Sequence, residues 1–173
     1  VREAARLIAR KKHTRLPVIE RAWKKLEPLN DYRTALRVRV EAYGRPVDIV
    51  ATHLAYQPEA GAVRARQIND VLAWLPRTSP PLVVLGDFNP PLTDSGLAPL
   101  AARNLETALP PGAAETTLNP AQGHAPQVID HIFVEREHFT VEAARLFADE
   151  PVGGEHLSDH FGVLAMLDFR DRR

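Results

Sequence analysis

The sequence predicts an α/β fold in which sheets are covered by helices, and three observations carry that prediction. Residues 32–54, YRTALRVRVEAYGRPVDIVATHL, put Leu36, Val38 and Val40 on one face and Arg37, Arg39 and Glu41 on the other. The run breaks at Gly44-Arg45-Pro46 and resumes, as a hairpin of two strands does. Residues 58–75, PEAGAVRARQINDVLAWL, place Val63, Ile68, Val71, Leu72 and Leu75 at helical spacing, opened by Pro58 and Glu59 and closed by Pro76. PLVVLG, residues 81–86, is short and wholly apolar after its proline, as a strand buried on both faces is. Two-faced strands mixed with helices need cover on both sides of a sheet.

The remaining elements follow in order. VREAARLIARKK, residues 1–12, spaces Val1, Ala4, Ala5, Leu7 and Ile8 as a short amphipathic helix does. Residues 14–31, with Pro17 and Pro28, read as an irregular connection. TDSGLAPLAARNLETAL predicts a short helix from near Asp94 or Ser95, and PPGAAETTLNPAQGHAPQ a long loop. VIDHIFV, FTVEAARLFAD and FGVLAMLDF read as strands, with EPVGGEHLSDH a loop before the last. Neither a repeat nor a low-complexity segment occurs, and residues 1–173 are read as a single domain.

Composition sets bounds. The chain has 173 residues, 45% hydrophobic and 25% charged, as in ordinary globular proteins. Lys plus Arg equals Asp plus Glu at 22 each, so the global basic footprint of a nucleic-acid binder is absent. The absence of cysteine excludes disulfides, thiolate metal sites and cysteine nucleophiles. No stretch approaches the roughly 18 apolar residues of a membrane span. No signal peptide is visible, but the chain starts at Val1 rather than Met. The expectation is a soluble protein, cytoplasmic or exported.

Polar groups gather at strand ends. DIVATHL delivers His53, LVVLGDFN delivers Asp87 and Asn89, VIDHIFV carries Asp130, and HLSDHFGV places Ser158, Asp159 and His160 just before a strand. Strand ends and the loops beside them are where sites are built. Asp130 shares a face with Val128, Ile132 and Val134, where a carboxylate needs a partner. It reads as a structural carboxylate bonded to amides or an arginine, or as one that orients a histidine. His131 has the opposite parity. His13, His124, His138 and His156 read as surface or loop residues, His156 lying close to the SDH segment.

GDFN, preceded by THL and a helix carrying RARQ and followed by IDHIFV and LSDHFGV, resembles the endonuclease/exonuclease/phosphatase superfamily over roughly residues 14–169. This deoxyribonuclease I-like group also holds apurinic endonucleases, neutral sphingomyelinases and inositol-polyphosphate 5-phosphatases. The resemblance implies a two-layer β-sandwich flanked by helices, with the site at one edge between the sheets. It implies a divalent metal, magnesium or another such as manganese, and hydrolysis of a phosphate ester by in-line attack of water. By motif, Asp87 resembles the carboxylate that positions or deprotonates the water, and Asn89 the carboxamide that contacts metal or phosphate. Asp130 and His160 resemble the family's Asp-His pair, His53 the second histidine near the phosphate, and Asp159 the SDH carboxylate that helps hold metal. The implied metal ligands are thus Asp87, Asn89 and Asp159, and the implied phosphate contacts His53, Asn89 and His160. Magnesium prefers oxygen ligands, which Asp and Asn supply.

The chain departs from the family in one respect. The strand ending in Asn and the QE glutamate, a principal metal ligand, have no counterpart, and VREAARLIAR resembles the helix that follows QE. The chain therefore reads as the C-terminal two thirds of such a domain, short of much of one sheet. The expected partner is a phosphate ester: nucleic acid, phospholipid or small phosphodiester. No obligate protein partner is evident. A phosphodiesterase or endonuclease-like hydrolase leads. A sphingomyelinase-like lipid phosphodiesterase and an inactive interaction module are the alternatives. Arg33, Arg37, Arg39, Arg64 and Arg66 lie near the site in sequence, as local phosphate contacts or as a solvated face.

Loss of one anionic ligand weakens a metal site by several kcal/mol. Residues 1–173 are therefore expected to show near-zero, magnesium-independent hydrolysis of an aryl phosphodiester. Turnover is expected to appear when a family-type segment ending in glutamate is joined before Val1. Robust chelator-sensitive turnover by residues 1–173 alone would contradict the fragment reading.

Overall fold

The computed structural model describes residues 18–27, 32–76 and 79–170, and the helix expected over residues 1–12 lies outside the described residues. Six strands form one sheet: β1 (Val18–Lys25), β2 (Thr34–Ala42), β3 (Arg45–His53), β4 (Leu82–Asp87), β5 (Leu105–Thr107) and β6 (Asp130–Glu135), in the order β1-β2-β3-β4-β6-β5. A second sheet pairs β7 (Phe139–Phe147) with β8 (Gly162–Phe169). Neighbours in the first sheet are antiparallel except β3 and β4. Parallel strands need a crossover, and α1 (Gly61–Trp74) supplies it. A short helix, α2 (Ala98–Ala102), follows β4. No helix among the described residues is long and apolar enough to cross a membrane.

The middle of the first sheet is buried on both faces. Val50, Leu54, Ile68, Val71, Val84, Phe88, Leu100 and Phe133 form the layer beneath the helices. Val40, Val47, Val83, Leu85, Ile132, Phe139 and Ala165 form the layer between the sheets. Strand β4 is apolar throughout because Leu82 and Val84 enter one layer while Val83 and Leu85 enter the other. Each fully buried side chain of this size stabilises by about 1.5–3 kcal/mol, so the strand that ends in Asp87 is firmly anchored.

The structure corrects several expectations. Residues 18–25 form a strand, not an irregular connection. Val18, Ile19 and Trp23 on this edge strand are 59, 56 and 67% exposed, so the buried alternation that marks a strand is missing. Helix α1 starts at Gly61, three residues after Pro58, and Arg64 holds the Gln57 and Pro58 carbonyls of the turn before it. Strand β5 is only three residues long and gave no period to read.

Arg37 and Arg39 depart from both readings given to them. Arg37 is buried and paired with Glu20. Arg39 makes a two-point contact with the fully buried Asp48, at 2.8 and 2.9 Å. These are internal ion pairs, neither a solvated face nor free phosphate contacts. Arg66 is exposed.

His131 faces the helix layer, where its ring packs against Phe88 and Phe133 at centroid distances of 5.9 and 5.4 Å. Neither ring nitrogen makes a well-formed hydrogen bond, although the Pro90 and Val128 backbones lie nearby, and the residue is 1% exposed. Burial pushes its pKa from 6.5 down to about 4, only weakly opposed by the Pro90 backbone and the Asp87 carboxylate. The unfolded chain therefore takes up this proton first as pH falls. Stability is full above pH 6.5 and declines toward pH 4, by about 3 kcal/mol from this group. His131→Phe is expected to remove that part of the acid sensitivity, read as the difference between the two proteins' denaturation midpoints at pH 7 and pH 4.5. Equal acid shifts would refute it.

Candidate active site

The end of β4 is set by Gly86. Its φ is +135°, and a Cβ there would lie 1.9 Å from the Thr52 carbonyl oxygen. At that φ only glycine avoids a clash with β3. Their parallel register pairs Thr52 with Gly86 and His53 with Asp87. His53 Nε2 is 3.2 Å from Asp87 Oδ2. Phe88, fully buried, then plugs the helix layer. Asn89 turns the chain back in the left-handed region, at φ 69°. Its N–H donates to Asp87 Oδ1 at 2.8 Å, and its Nδ2 donates to the Leu54 carbonyl at 2.9 Å. That amide donor is used within the protein, which leaves Oδ1 as the Asn89 atom to face a ligand.

Asp130 opens β6 opposite Asp87. His160 Nδ1 lies 2.8 Å from Asp130 Oδ2, a contact that joins β6 to the segment entering β8. The loop at 116–119 holds both partners. Thr117 Oγ1 accepts from the N–H groups of Ile129 and Asp130 at 3.0 and 3.1 Å. The Thr117 carbonyl accepts from Phe161 N at 2.7 Å. Asn119 donates from its backbone to the Asp159 carbonyl at 2.8 Å and from Nδ2 to the Ser158 carbonyl at 3.1 Å. Thr117 and Asn119 are fully buried. Sequence reasoning missed both, and only the run TTLNP inside a Pro- and Gly-rich loop could have pointed to them.

Two more residues were missed in this role. Gln67 Oε1 accepts from Ala55 N at 2.9 Å. Arg64, 1% exposed, donates from Nη1 to the Ala55 and Gln57 carbonyls at 3.1 and 2.7 Å, and from Nη2 to the Pro58 carbonyl at 3.2 Å and Asp94 Oδ2 at 2.9 Å. The turn after His53 is thereby tied to the segment after Asn89. The signal was RARQ itself, whose Arg and Gln lie on the buried side of α1.

His53, Asp87, Asn89, Asp130 and His160 thus meet at one edge of the first sheet. Asp159 is exposed beside them, and its carboxylate accepts from the Ser158 hydroxyl at 3.2 Å. Ligand atoms of Asp87, Asp130 and His160 lie within 4.8 Å of one another. Asp130 Oδ1 is buried without a hydrogen-bond partner. Two carboxylates this close repel each other unless positive charge lies beside them, so Asp87 and Asp130 fit a divalent cation.

The Asp130 contact, supported by the nearby charges of Asp87 and Asp159, raises His160 from 6.5 to about 9 against the effect of its burial. Burial raises Asp130, and the His160 contact opposes this. At neutral pH His160 is therefore an imidazolium with Nδ1 committed to Asp130.

The sequence matches the Endonuclease/Exonuclease/phosphatase family over residues 14–160. No curated protein matches it. Solved structures share the fold. The human nocturnin catalytic domain with bound sulfate superposes with a TM-score of 0.72 at 22% identity, over 90% of this chain and 60% of that one. Zebrafish (D. rerio) TDP2 complexed with a single-strand DNA product gives 0.73 at 18% identity, over 90% and 69%. A mannosyl-6-phosphatase of Bacteroides thetaiotaomicron gives 0.70 at 17% identity, over 89% and 67%. The chain therefore spans less than two thirds of the nocturnin domain's length.

The raised His160 has a signed consequence. Its pairing stabilises the fold fully below pH 6.5, and that contribution is lost as pH rises through about 9. Imidazole NMR titration should give a His160 midpoint near 9, and Asp130→Asn should lower it by at least one unit. A wild-type midpoint near 6.5 would show that the pair is not held in solution.

Proposed function

The chain belongs to the endonuclease/exonuclease/phosphatase family, and from that premise we propose that it hydrolyses phosphate esters with a divalent cation, magnesium foremost, and that its substrates are phosphodiesters. The observation that carries the reading is the meeting of Asp87, with His53 at 3.2 Å, and the Asp130–His160 pair on one sheet edge.

In this reading Asp87, Asn89 through Oδ1, and Asp159 hold the cation, with the open oxygen of Asp130 beside them. When bound, the cation supplies positive charge that polarises a phosphoryl oxygen and acidifies water. The protein's own groups do the rest. His160 carries its proton on Nε2 toward the phosphoryl oxygens and offsets charge building there. Asp130 fixes the ring that presents this proton. Since an imidazolium cannot accept a proton, Asp87 is the group that takes one from the attacking water. His53 lies against Asp87 and offers a second contact to the phosphate.

The test uses the chain joined to a glutamate-bearing family-type segment. Aryl phosphodiester hydrolysis should require magnesium and stop with chelator. His160→Ala and Asp87→Asn should each lower kcat by at least about 100-fold in protein that remains folded, His160→Ala also lowering the unfolding temperature through loss of its pair with Asp130, while His131→Ala should act through stability alone. Activity surviving both site variants would overturn the assignment.

A further inference from the structure

Strand β6 runs from Asp130 to Glu135, so its far end stands five residues, about 17 Å, from the candidate active site. There the chain turns through Arg136 and Glu137 into β7 and passes from the first sheet to the second. His138 N donates to the Glu135 carbonyl at 3.0 Å, which closes the turn and brings three side chains together. His138 Nε2 lies 3.3 Å from Glu137 Oε1 and 3.8 Å from Glu135 Oε2. One ligand atom from each of the three lies within 4.8 Å of the others.

Two further observations separate this cluster from ordinary surface acids. Glu135 is 5% exposed. Its Oε2 accepts from Leu82 N at 3.0 Å, but its nearest cations, the Arg103 guanidinium at 3.6 Å and His138, stand beyond hydrogen-bond reach. A carboxylate taken out of water is costly unless positive charge meets it closely. The three side chains also line one polar recess of about 220 Å³, together with Arg103 and Asn104. That is room for an ion and several waters at roughly 30 Å³ each.

The spacing selects the ion. Zinc holds nitrogen and oxygen ligands at about 2.0–2.2 Å in a tetrahedron, so neighbouring ligand atoms stand about 3.4 Å apart. The two distances from His138 Nε2 bracket that value. Imidazole suits zinc, whereas magnesium and calcium take oxygen ligands. Three protein ligands leave the fourth position to water from the recess.

We propose that Glu135, Glu137 and His138 form a zinc-type site, remote from the candidate active site, that clamps the corner between the two sheets. Arg103, whose side chain is half exposed, swings aside as the ion takes its place beside Glu135. The ion has no part in the chemistry proposed at the other end of β6.

Calorimetric titration of the metal-stripped full chain with zinc chloride and with magnesium chloride tests it, alongside NMR of the histidine rings. Zinc should move the His138 ring signals, and magnesium should leave them in place. His138→Ala and Glu137→Gln, both at partly exposed positions, should each weaken this zinc binding at least about tenfold. Asp87→Asn should leave it unchanged. Zinc should raise the unfolding temperature of the Asp87→Asn protein, since only the folded turn gathers the ligands, and adding His138→Ala should abolish the rise. A His138 ring unmoved by zinc, or zinc affinity in the Asp87→Asn protein that survives His138→Ala, would overturn the site. Zinc that moves only the His53 and His160 rings would assign the ion to the other sheet end and overturn it equally.

Discussion

The backbone of Gly86, in a conformation that leaves no room for a side chain beside β3, is the constraint on which the site depends. Hydrogen-bonded strands normally keep their spacing with side chains on both. Here the Thr52 carbonyl occupies the space where a Cβ of residue 86 would stand. Parallel pairing then brings two C-terminal strand ends out at one edge, and β6, running the other way, brings its N-terminal end to meet them. His53, Asp87 and Asp130 converge because three strand ends do. The polar groups that follow the apolar run of β4 are the tip of an arm, and the burial of Phe88 behind them keeps that arm from swinging.

The site has two halves with different supports. His53, Asp87 and Asn89 belong to the first sheet and are braced by Arg64 and Gln67 through main-chain carbonyls and amides. The buried guanidinium is tolerable because Nη1 and Nη2 bond three carbonyls and the Asp94 carboxylate. Asp130 and His160 belong to different sheets and are stitched together through Thr117 and Asn119. The first half depends on strand register, the second on a loop.

What was legible in the sequence follows the same division. Strands β4 and β6 and helix α1 were readable because two-sided burial and a helical period leave a pattern in residue types. The opposite parity of Asp130 and His131 was readable for the same reason: side chains alternate along a strand. Edge strand β1 was not, because exposed Val18, Ile19 and Trp23 carry no inside–outside contrast. Thr117 and Asn119 were not, because loop residues that act through backbone atoms have no period. Arg37 and Arg39 misled because nearness in sequence to the candidate site says nothing of pairing. Asp48, opposite Arg39 in the register, and Glu20 were the missing partners.

The Asp130–His160 contact crosses from one sheet to the other, and that has a mechanical meaning. Strands β7 and β8 hydrogen-bond to each other, and the Leu118–His160 bridge links their entry to the loop that also holds Asp130. A two-stranded ribbon of this kind opens at lower free energy than the middle of a six-stranded sheet. When the ribbon lifts, it carries the imidazole away while the arm bearing Asp87 stays put. The constellation is thus only as durable as its weaker sheet. Such an opening would part His160 from Asp130 and uncover the layer between the sheets, while α1 and the layer beneath it stay in place.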